Sequence, residues 1–245
     1  MLKRFIFVVI AILAANAAFA FENERLNYQI VYHWGIIWKH AASATLSLVN
    51  SNGNYESQLS ARTISWADKI FKVRDTLTCQ IKKEGFRPLR YTKSAHEGKG
   101  VVHDVVKYSY LGNVVNADCR HHRQGRQPQK VEFEAEGKAF DMLSVFYYIR
   151  TLTFTKMDKN TVYKVTVFSG RRKETLNIRY AGVENIKLRD GSRHDAYHIK
   201  FSFTQDGRQK SSDDMDTWIS TDSSKIPLML RGKLPIGEVR CYYAK

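Results

Sequence analysis

The chain has 245 residues, of which 43% are hydrophobic and 26% are charged, and it carries a formal net charge of +15 at pH 7. Its length excludes the class of small domains that need disulfides or metal ions to fold, because a chain of this size can bury a sufficient apolar core. The basic charge indicates either anionic partners or a surface that only keeps the protein soluble, and both interpretations stay open.

The first residues, MLKRFIFVVIAILAANAAFA, have the layout of a secretory signal peptide. Lys3 and Arg4 precede an apolar stretch, and small residues follow up to Ala20, after which we expect cleavage. The apolar stretch is about half the ~20 residues that span a bilayer. No Cys lies near the cleavage site. We therefore expect an exported, soluble protein that is not a lipoprotein and has no membrane span after signal removal.

Export changes the expected partner of this basic chain. Nucleic acid is the usual partner of such a charge, but a bacterial envelope holds little of it. We therefore expect no nucleic-acid partner, and we expect a lipid or another anionic envelope component instead. The oligomeric state is left open.

Most of the remaining chain alternates between apolar and polar residues, with turn residues about every ten positions. Residues 43–49 and 54–65 flank an Asn-Ser-Asn-Gly turn, and residues 162–182 form a second hairpin pattern. The pattern predicts a mainly β fold, a curved antiparallel sheet or half-barrel-like meander of roughly a dozen strands. We expect one domain over residues 21–245.

Residues 140–150, FDMLSVFYYIR, break this alternation. Asp141 can cap a helix N-terminus, with Phe140 and Val145 forming a hydrophobic staple, and Arg150 suits the C-terminal end of the helix dipole. A helix this apolar must be buried against protein. We predict one buried central helix over about residues 141–152, on the concave side of the sheet.

The aromatic residues of this helix are the first candidates for a binding site. We expect Phe146 and Tyr147 to lie beside an apolar cavity, and Trp218 to line or fill the same interior. Arg150 is a further candidate, because a guanidinium tethered to a buried helix needs carboxylates or carbonyls. It forms either an ion pair that stabilises the fold or a contact to a ligand.

Two basic connections are the second candidate. Arg171 and Arg172 lie at the tip of the hairpin over residues 162–182, and residues 120–130 form another basic connection. At the same rim they would make an anion-attracting mouth, whereas at opposite rims they would be solvated loops.

No catalytic or metal site is predicted. His194 and His198 have helical metal-site spacing, yet they lie in a strand pattern, where one ion cannot bridge them. No nucleophile motif is present, so no catalytic residue and no cofactor are expected. Cys79, Cys119 and Cys241 allow three alternative disulfide pairings with one thiol left over, or they stay as buried thiols.

Four stretches of the chain resemble one known family. They are LNYQIVYHWGIIWKHAASATLSL at 26–48, IFKVRDTLTCQIKKEGFRPLRYTK at 70–93, DMLSVFYYIR at 141–150 and TWISTDSSKIPLMLRGKLPIGEV at 217–239. In their order and spacing they are similar to the DUF3108 family of exported bacterial proteins of unknown function. The turn at residues 35–41 departs from the family pattern, because it lacks the second glycine expected in its middle.

The resemblance implies an exported, β-rich, single-domain protein, and we expect the periplasm of a Gram-negative bacterium. It brings no reaction and no catalytic residue. Asp75 and Asp222 lie within the family-like stretches, so they are the candidate partners of Arg150. The expected architecture is similar to the half-barrels of periplasmic lipoprotein carriers, an analogy that concerns the fold and not the function.

Three functional hypotheses follow. The first is that the protein binds an apolar or anionic envelope molecule, such as a lipid, in the half-barrel. The second is a non-enzymatic envelope assembly or scaffold protein with a filled interior. The third is a hydrolase of envelope polymer, which needs a polar cleft with paired carboxylates. Binding is favoured, and enzyme activity is left open.

Overall fold

The computed structural model describes residues 21–205, 209–210, 214–234 and 237–245. The predicted signal peptide and its cleavage site at Ala20 lie outside the described residues. The described strands are β1 (Glu24–Trp34), β2 (Ile37–Ser51), β3 (Asn54–Thr63), β4 (Val73–Lys82), β5 (Arg87–Glu97), β6 (Gly100–Leu111), β7 (Val114–Arg123), β8 (Gln129–Glu136), β9 (Ala139–Phe140), β10 (Tyr163–Ser169), β11 (Arg172–Lys187), β12 (Arg193–Gln205), β13 (Gln209–Lys210), β14 (Met215–Ser220), β15 (Pro227–Lys233) and β16 (Glu238–Ala244). The helices are α1 (Ser65–Asp68) and α2 (Ser144–Thr151), with 3-10 turns at Glu84–Phe86 and Phe154–Lys156.

All these strands belong to one sheet, in the order β8-β7-β6-β5-β4-β3-β2-β1-β16-β15-β14-β12-β11-β10-β9, with β13 paired to β12 beside this path. Strands β1 to β8 form an antiparallel meander, in which each strand pairs with the next one along the chain. β1 also pairs with β16, so the meander continues into the second half of the chain. The parallel bridge between β9 and β10 ends the order.

The sheet curls until its two ends approach each other. Phe133 of β8 stacks on Phe168 of β10 with ring centroids 5.8 Å apart. Lys173 Nζ, at the start of β11, donates to the carbonyl of Glu134 at 2.6 Å. The result is a nearly closed, barrel-like sheet, which confirms the predicted curved, mainly β fold. Strands β9 and β13 contain two residues each, too few for an alternating pattern to reveal them.

Helix α2 lies inside this sheet. Leu143 and Tyr147 belong to an apolar cluster with strands β1–β8, whereas Val145 and Ile149 belong to a second cluster with β10–β12 and β14. The helix is therefore packed on both sides, as the buried-helix prediction requires. It covers residues 144–151 and is shorter than predicted.

Asp141 begins the turn that leads into α2. Its Oδ1 accepts hydrogen bonds from the backbone N–H of Leu143 at 2.9 Å and of Ser144 at 2.8 Å. Its carbonyl accepts the N–H of Val145 at 3.1 Å. This is the hydrogen-bond pattern of a helix N-cap, so Asp141 has the predicted capping role although the regular helix begins at Ser144.

Candidate functional site

A cavity of about 230 Å³ lies between the start of α2 and the strands β1, β2, β3, β15 and β16. Its lining is almost wholly apolar. The lining residues are Tyr28, Ile30, Ala44, Leu46, Leu59, Ala61, Met142, Leu143, Phe146, Pro227, Met229, Leu230 and Cys241.

The cavity exists because small residues meet where the sheet faces the helix. Ala44 of β2 pairs directly with Ala61 of β3, and Leu46 pairs with Leu59 two positions along. Residues two apart on a strand share a face, so all four side chains point into the interior. Two methyl groups at Ala44 and Ala61 leave space that larger side chains would fill.

Tyr28 supplies a polar group in this apolar wall. Its hydroxyl is buried and has no hydrogen-bond partner among the described residues. Its ring packs edge-on against Tyr243 with centroids 6.1 Å apart. Burial raises the pKa of the Tyr28 phenol well above its ordinary value, so the group remains a neutral hydroxyl that can donate a hydrogen bond. A buried hydroxyl without a partner costs about 1–3 kcal/mol, which makes Tyr28 Oη the polar feature that a ligand could satisfy.

Cys241 also lines the cavity. Burial raises the pKa of its thiol to about 12, so the thiolate needed for nucleophilic attack is not populated near neutral pH. Cys79, Cys119 and Cys241 are all free thiols in the structure, with Cys79 and Cys119 buried and Cys241 partly exposed.

Arg150 is the largest fully buried side chain of the described chain, with 1% of its side chain exposed. Its Nη1 and Nη2 donate to the two carboxylate oxygens of Glu24 at 2.5 and 2.8 Å. Its Nε donates to the carbonyl of Lys225 at 2.9 Å, and Nη2 also donates to the carbonyl of Ser224 at 3.1 Å. The bidentate pair ties α2 to the first strand, and the hydrogen bonds to the two carbonyls tie it to the turn before β15.

The predicted partners of Arg150 are therefore wrong. Asp75 instead accepts the backbone N–H of His96 at 3.1 Å. Asp222 accepts the backbone N–H of Ser224 at 2.9 Å and so shapes the turn. The backbone carbonyls of this turn contact Arg150, whereas the Asp222 carboxylate does not. No local pattern pointed to Glu24, because it lies 126 residues before Arg150 along the chain.

The other aromatic candidates divide between the cavity and the packed core. Phe146 lines the cavity, as expected. Tyr147 is fully buried and fills the interior, where its hydroxyl accepts a hydrogen bond from Ser57 Oγ at 3.1 Å. Trp218 is buried but does not line the cavity, and it belongs to a third apolar cluster that contains no residue of α2. Its indole N–H donates to Glu184 at 2.8 Å.

The two basic connections do lie together. Arg171 and Arg172 are exposed at the β10–β11 turn, and Arg171 Nη1 is 3.4 Å from Oε1 of Gln129, which begins β8. The turn between β7 and β8 is thus adjacent to them, as the mouth hypothesis requires. None of these residues lines the cavity, however, so their charge is gathered beside β8 and away from Phe146.

His198 lies between two carboxylates. Its Nδ1 is 2.8 Å from Glu184 Oε1 and its Nε2 is 2.7 Å from Asp216 Oδ1, and Arg231 donates to Asp216 Oδ2 at 2.8 Å. The ring stacks on Trp218 with centroids 4.5 Å apart. Both nitrogens can donate to these carboxylates only when the ring is protonated. Among the described residues, no group of three or more His, Cys, Asp or Glu is arranged to hold a metal ion.

This ionic cluster predicts a loss of stability in acid. Burial raises the pKa of Asp216, but hydrogen bonds from Arg231 and His198 outweigh burial and hold the pKa below its usual value of 3.8. A carboxyl group with a lowered folded-state pKa stabilises the fold above its unfolded pKa, and this contribution is lost as the pH falls through the folded pKa. We expect the free energy of unfolding to fall more steeply for the wild type than for Asp216→Asn as the pH drops from about 5 to about 3. Urea unfolding across this range measures both, and equal losses would contradict the role given to Asp216.

The cavity residues on the strands were missed by sequence reasoning. Tyr28, Ala44 and Ala61 alternate with polar residues and so could be placed on one face of their strands. Nothing in the sequence reveals that β1 pairs with β16 and brings Cys241 beside Ile30.

Together, the nearly closed sheet and the helix inside it define a β-barrel-like protein. The structure is similar to a crystal structure described as a "Beta-barrel-like Protein of Domain of Unknown Function DUF1849 from Brucella abortus", with a TM-score of 0.63 and 9% sequence identity over 91% of this chain and 96% of that chain. At this identity the likeness shows the fold alone. The sequence profile of the family described as "Protein of unknown function (DUF3108)" matches residues 27–243, and the chain belongs to that family.

The search of curated proteins found no match. Among the described residues, no helix has the length and apolar character needed to cross a membrane.

Proposed function

We propose that this protein binds a single apolar chain, such as the acyl chain of a lipid or fatty acid, in the cavity beside Phe146. The observation that carries the proposal is Tyr28 Oη, a buried hydroxyl without a partner among the described residues, in an otherwise apolar lining. A ligand with an apolar body and one hydrogen-bond acceptor would fill the space and satisfy that hydroxyl. Concave apolar pockets with few polar groups are the usual form of small-molecule sites.

The size of the cavity limits the ligand. A volume of about 230 Å³ corresponds to about eight groups of the size of a water molecule, at roughly 30 Å³ each. One medium-length alkyl chain matches this volume, whereas the two chains of a phospholipid do not. The proposed ligand is therefore a single-chain amphiphile, or one chain of a larger lipid.

We propose that the head group is an anionic hydrogen-bond acceptor. After burial, the strongest influence on the pKa of Tyr28 is the positive charge of Arg150, which lowers it, ahead of the opposite influence of Glu24. Arg150 is itself paired with Glu24, so the proposed preference for a carboxylate or phosphate oxygen rests mainly on the hydrogen bond that the neutral Tyr28 hydroxyl can donate. The lining carries no formal charge and no paired carboxylates among the residues that the structure describes, which favours binding over the hydrolase and over a filled scaffold.

The proposal includes a location. The signal-peptide pattern of residues 1–20 supports export, and a lipid ligand suits the periplasm of a Gram-negative envelope. We propose that residues 21–245 act there as one domain.

Filling the cavity tests the proposal. We expect octanoate to bind the wild type in isothermal titration calorimetry, and we expect Ala44→Phe to weaken binding at least about tenfold, because the new ring occupies the ligand's volume. Thr45→Phe is the matched control, because the neighbouring residue on a strand points to the opposite face. Thermal unfolding checks that both variants fold.

The head group is tested with the same assay. Tyr28→Phe should weaken octanoate binding about two- to tenfold, the effect of one hydrogen bond of about 0.5–1.5 kcal/mol. Octanol should bind more weakly than octanoate, and octylamine more weakly still. An absence of octanoate binding to the wild type, or equal binding by Ala44→Phe and Thr45→Phe, would overturn the proposal and favour the scaffold reading.

A further inference from the structure

One end of the barrel exposes large apolar side chains on the tips of its turns. We call this set the apolar rim, and it consists of Trp34, Ile36, Ile37, Trp38, Ile70 and Phe71. Ile36 is 97% exposed and Ile70 is 77% exposed, although both are among the most apolar residue types. Single exposed apolar residues are ordinary, but a group of six at one end of a molecule marks an interaction surface.

The apolar rim is continuous in space. The β1–β2 turn is joined to α1, because Trp66 Nε1 donates to the carbonyl of His40 at 2.8 Å and the N–H of Ile64 donates to the carbonyl of Ala41 at 3.0 Å. On the far side of α1, the Phe71 ring lies against Gly98 of the β5–β6 turn, where an added Cβ would be 3.0 Å from the ring.

Leu234, which follows β15, adds a further exposed apolar side chain at the same end of the barrel. β1 pairs with β16 up to His33 and Glu238, so Gly237 lies beside the β1–β2 turn. The N–H of Leu234 donates to the carbonyl of Gly237 at 3.1 Å, and Leu234 is 43% exposed. The apolar tips therefore follow neighbouring strands around one end of the sheet.

Positive charge surrounds the apolar rim. Five exposed lysines lie in or next to these turns: Lys39, Lys69, Lys72, Lys99 and Lys233. The carboxylates beside these turns are paired with basic side chains, and Glu97 Oε1 lies 3.5 Å from Lys93 Nζ. Asp68 is paired with Arg74 at 2.6 Å, and Glu238 is paired with Arg240 at 2.6 Å. The combined surface is apolar at its tips and cationic around them.

We propose that the apolar rim docks onto a lipid bilayer that carries anionic head groups. Tryptophan prefers the boundary between head groups and acyl chains, and lysines near the surface are attracted to anionic lipids. The rim is made of separate turn tips, and a bilayer accepts separate tips, whereas a protein partner or a second copy needs a closely packed, complementary surface. The docked turns insert only shallowly, as interfacial elements do.

This docking goes beyond the cavity and does not depend on it. The two proposals place different residues in contact with lipid: Ala44 and Tyr28 inside, and the turn tips outside. Each can therefore fail while the other stands.

Vesicle binding tests the docking. We expect the protein to co-sediment with vesicles of phosphatidylglycerol and phosphatidylcholine, and to bind pure phosphatidylcholine at least about tenfold more weakly. Of the four tryptophans in the chain, Trp34 and Trp38 belong to the rim and Trp66 joins it to β2. Brominated lipids should therefore quench much of the tryptophan emission.

The matched variants are Ile70→Asp in the rim and Leu111→Asp at the other end of the barrel. Leu111 is 77% exposed, the same fraction as Ile70. It ends the 12-residue strand β6, which begins beside the rim at Gly100 and so spans about 40 Å. We expect Ile70→Asp to weaken vesicle binding about tenfold and Leu111→Asp to leave it unchanged.

A charge variant supplies a second readout in case Ile70→Asp affects folding. Lys69→Glu with Lys72→Glu keeps every apolar tip, and we expect weaker binding and a shallower salt dependence. Ala44→Phe should bind vesicles like the wild type, which separates docking from the cavity. Equal vesicle binding by Ile70→Asp and Leu111→Asp would overturn the proposal. So would a rim-dependent dimer in light scattering without vesicle binding.

Discussion

Replacing Arg150 with methionine should lower the free energy of unfolding by about 3–5 kcal/mol, because it leaves Glu24 and two backbone carbonyls without their buried partner. Methionine retains much of the apolar stem, so the loss comes mainly from the guanidinium. Urea unfolding of the purified protein measures it. The expected loss is a large fraction of the 5–15 kcal/mol that a typical fold provides.

Two comparisons separate the buried pair from a general loss of charge. Arg171→Met removes an exposed arginine at the β10–β11 turn, and we expect a change within about 0.5 kcal/mol. Glu24→Gln keeps an acceptor for Arg150 but loses the charge. Its loss in the free energy of unfolding should therefore lie between those of Arg150→Met and Arg171→Met. If Arg150→Met were no more destabilising than Arg171→Met, the buried pair would not hold α2 in place.

The second large effect is expected for Asp141→Ala. Asp141 is fully buried, and besides its two backbone N–H partners its Oδ2 accepts hydrogen bonds from Ser144 Oγ at 2.8 Å and Cys79 Sγ at 3.0 Å. Burial raises the pKa of this carboxyl, and these hydrogen bonds oppose the rise. Removing it leaves the N–H groups of Leu143 and Ser144 unsatisfied in the core. We expect a loss of about 2–4 kcal/mol in the free energy of unfolding.

Asp158→Ala is the matched control for burial. Asp158 makes similar local hydrogen bonds, to the N–H of Asn160 and the hydroxyl of Thr161, but it is exposed. We expect its loss to be about 0.5–1 kcal/mol, because water replaces the missing acceptor. Equal losses for the two variants in urea unfolding would show that burial at Asp141 adds nothing to an ordinary cap.

The β meander and the helix could be predicted because both leave local signals. Alternation in residues 43–49 and 54–65 gave the β2–β3 hairpin, and the composition of residues 140–150 gave α2 with Asp141 at its start. The departure from the family pattern at residues 35–41 also has a local explanation. Within residues 35–41, only Gly35 takes a positive φ, of 57°. Strand β2 already begins at Ile37, so the turn is short.

The site itself depends on pairings between distant segments, which no local pattern encodes. Glu24 meets Arg150, and Ala44 and Ala61 leave a gap only because they face α2. Trp218 belongs to a cluster without α2, which the sequence could not show either. Residues 215–220, Met-Asp-Thr-Trp-Ile-Ser, do not alternate regularly, so the sequence does not say which face of β14 meets the helix.

The pairing of β1 with β16 has a consequence for the order in which the protein folds. Strands β1 to β8 pair with sequence neighbours, so their contacts form at little loop-closure cost and can develop while the later strands are still absent. β1 must meanwhile keep one edge open until β16, from the other end of the described chain, closes against it. The pairing of these two strands joins residues that are far apart in the chain, so we expect it to form slowly. Until it forms, the unpaired edge of β1 is the part of an incomplete chain that is most exposed to aggregation.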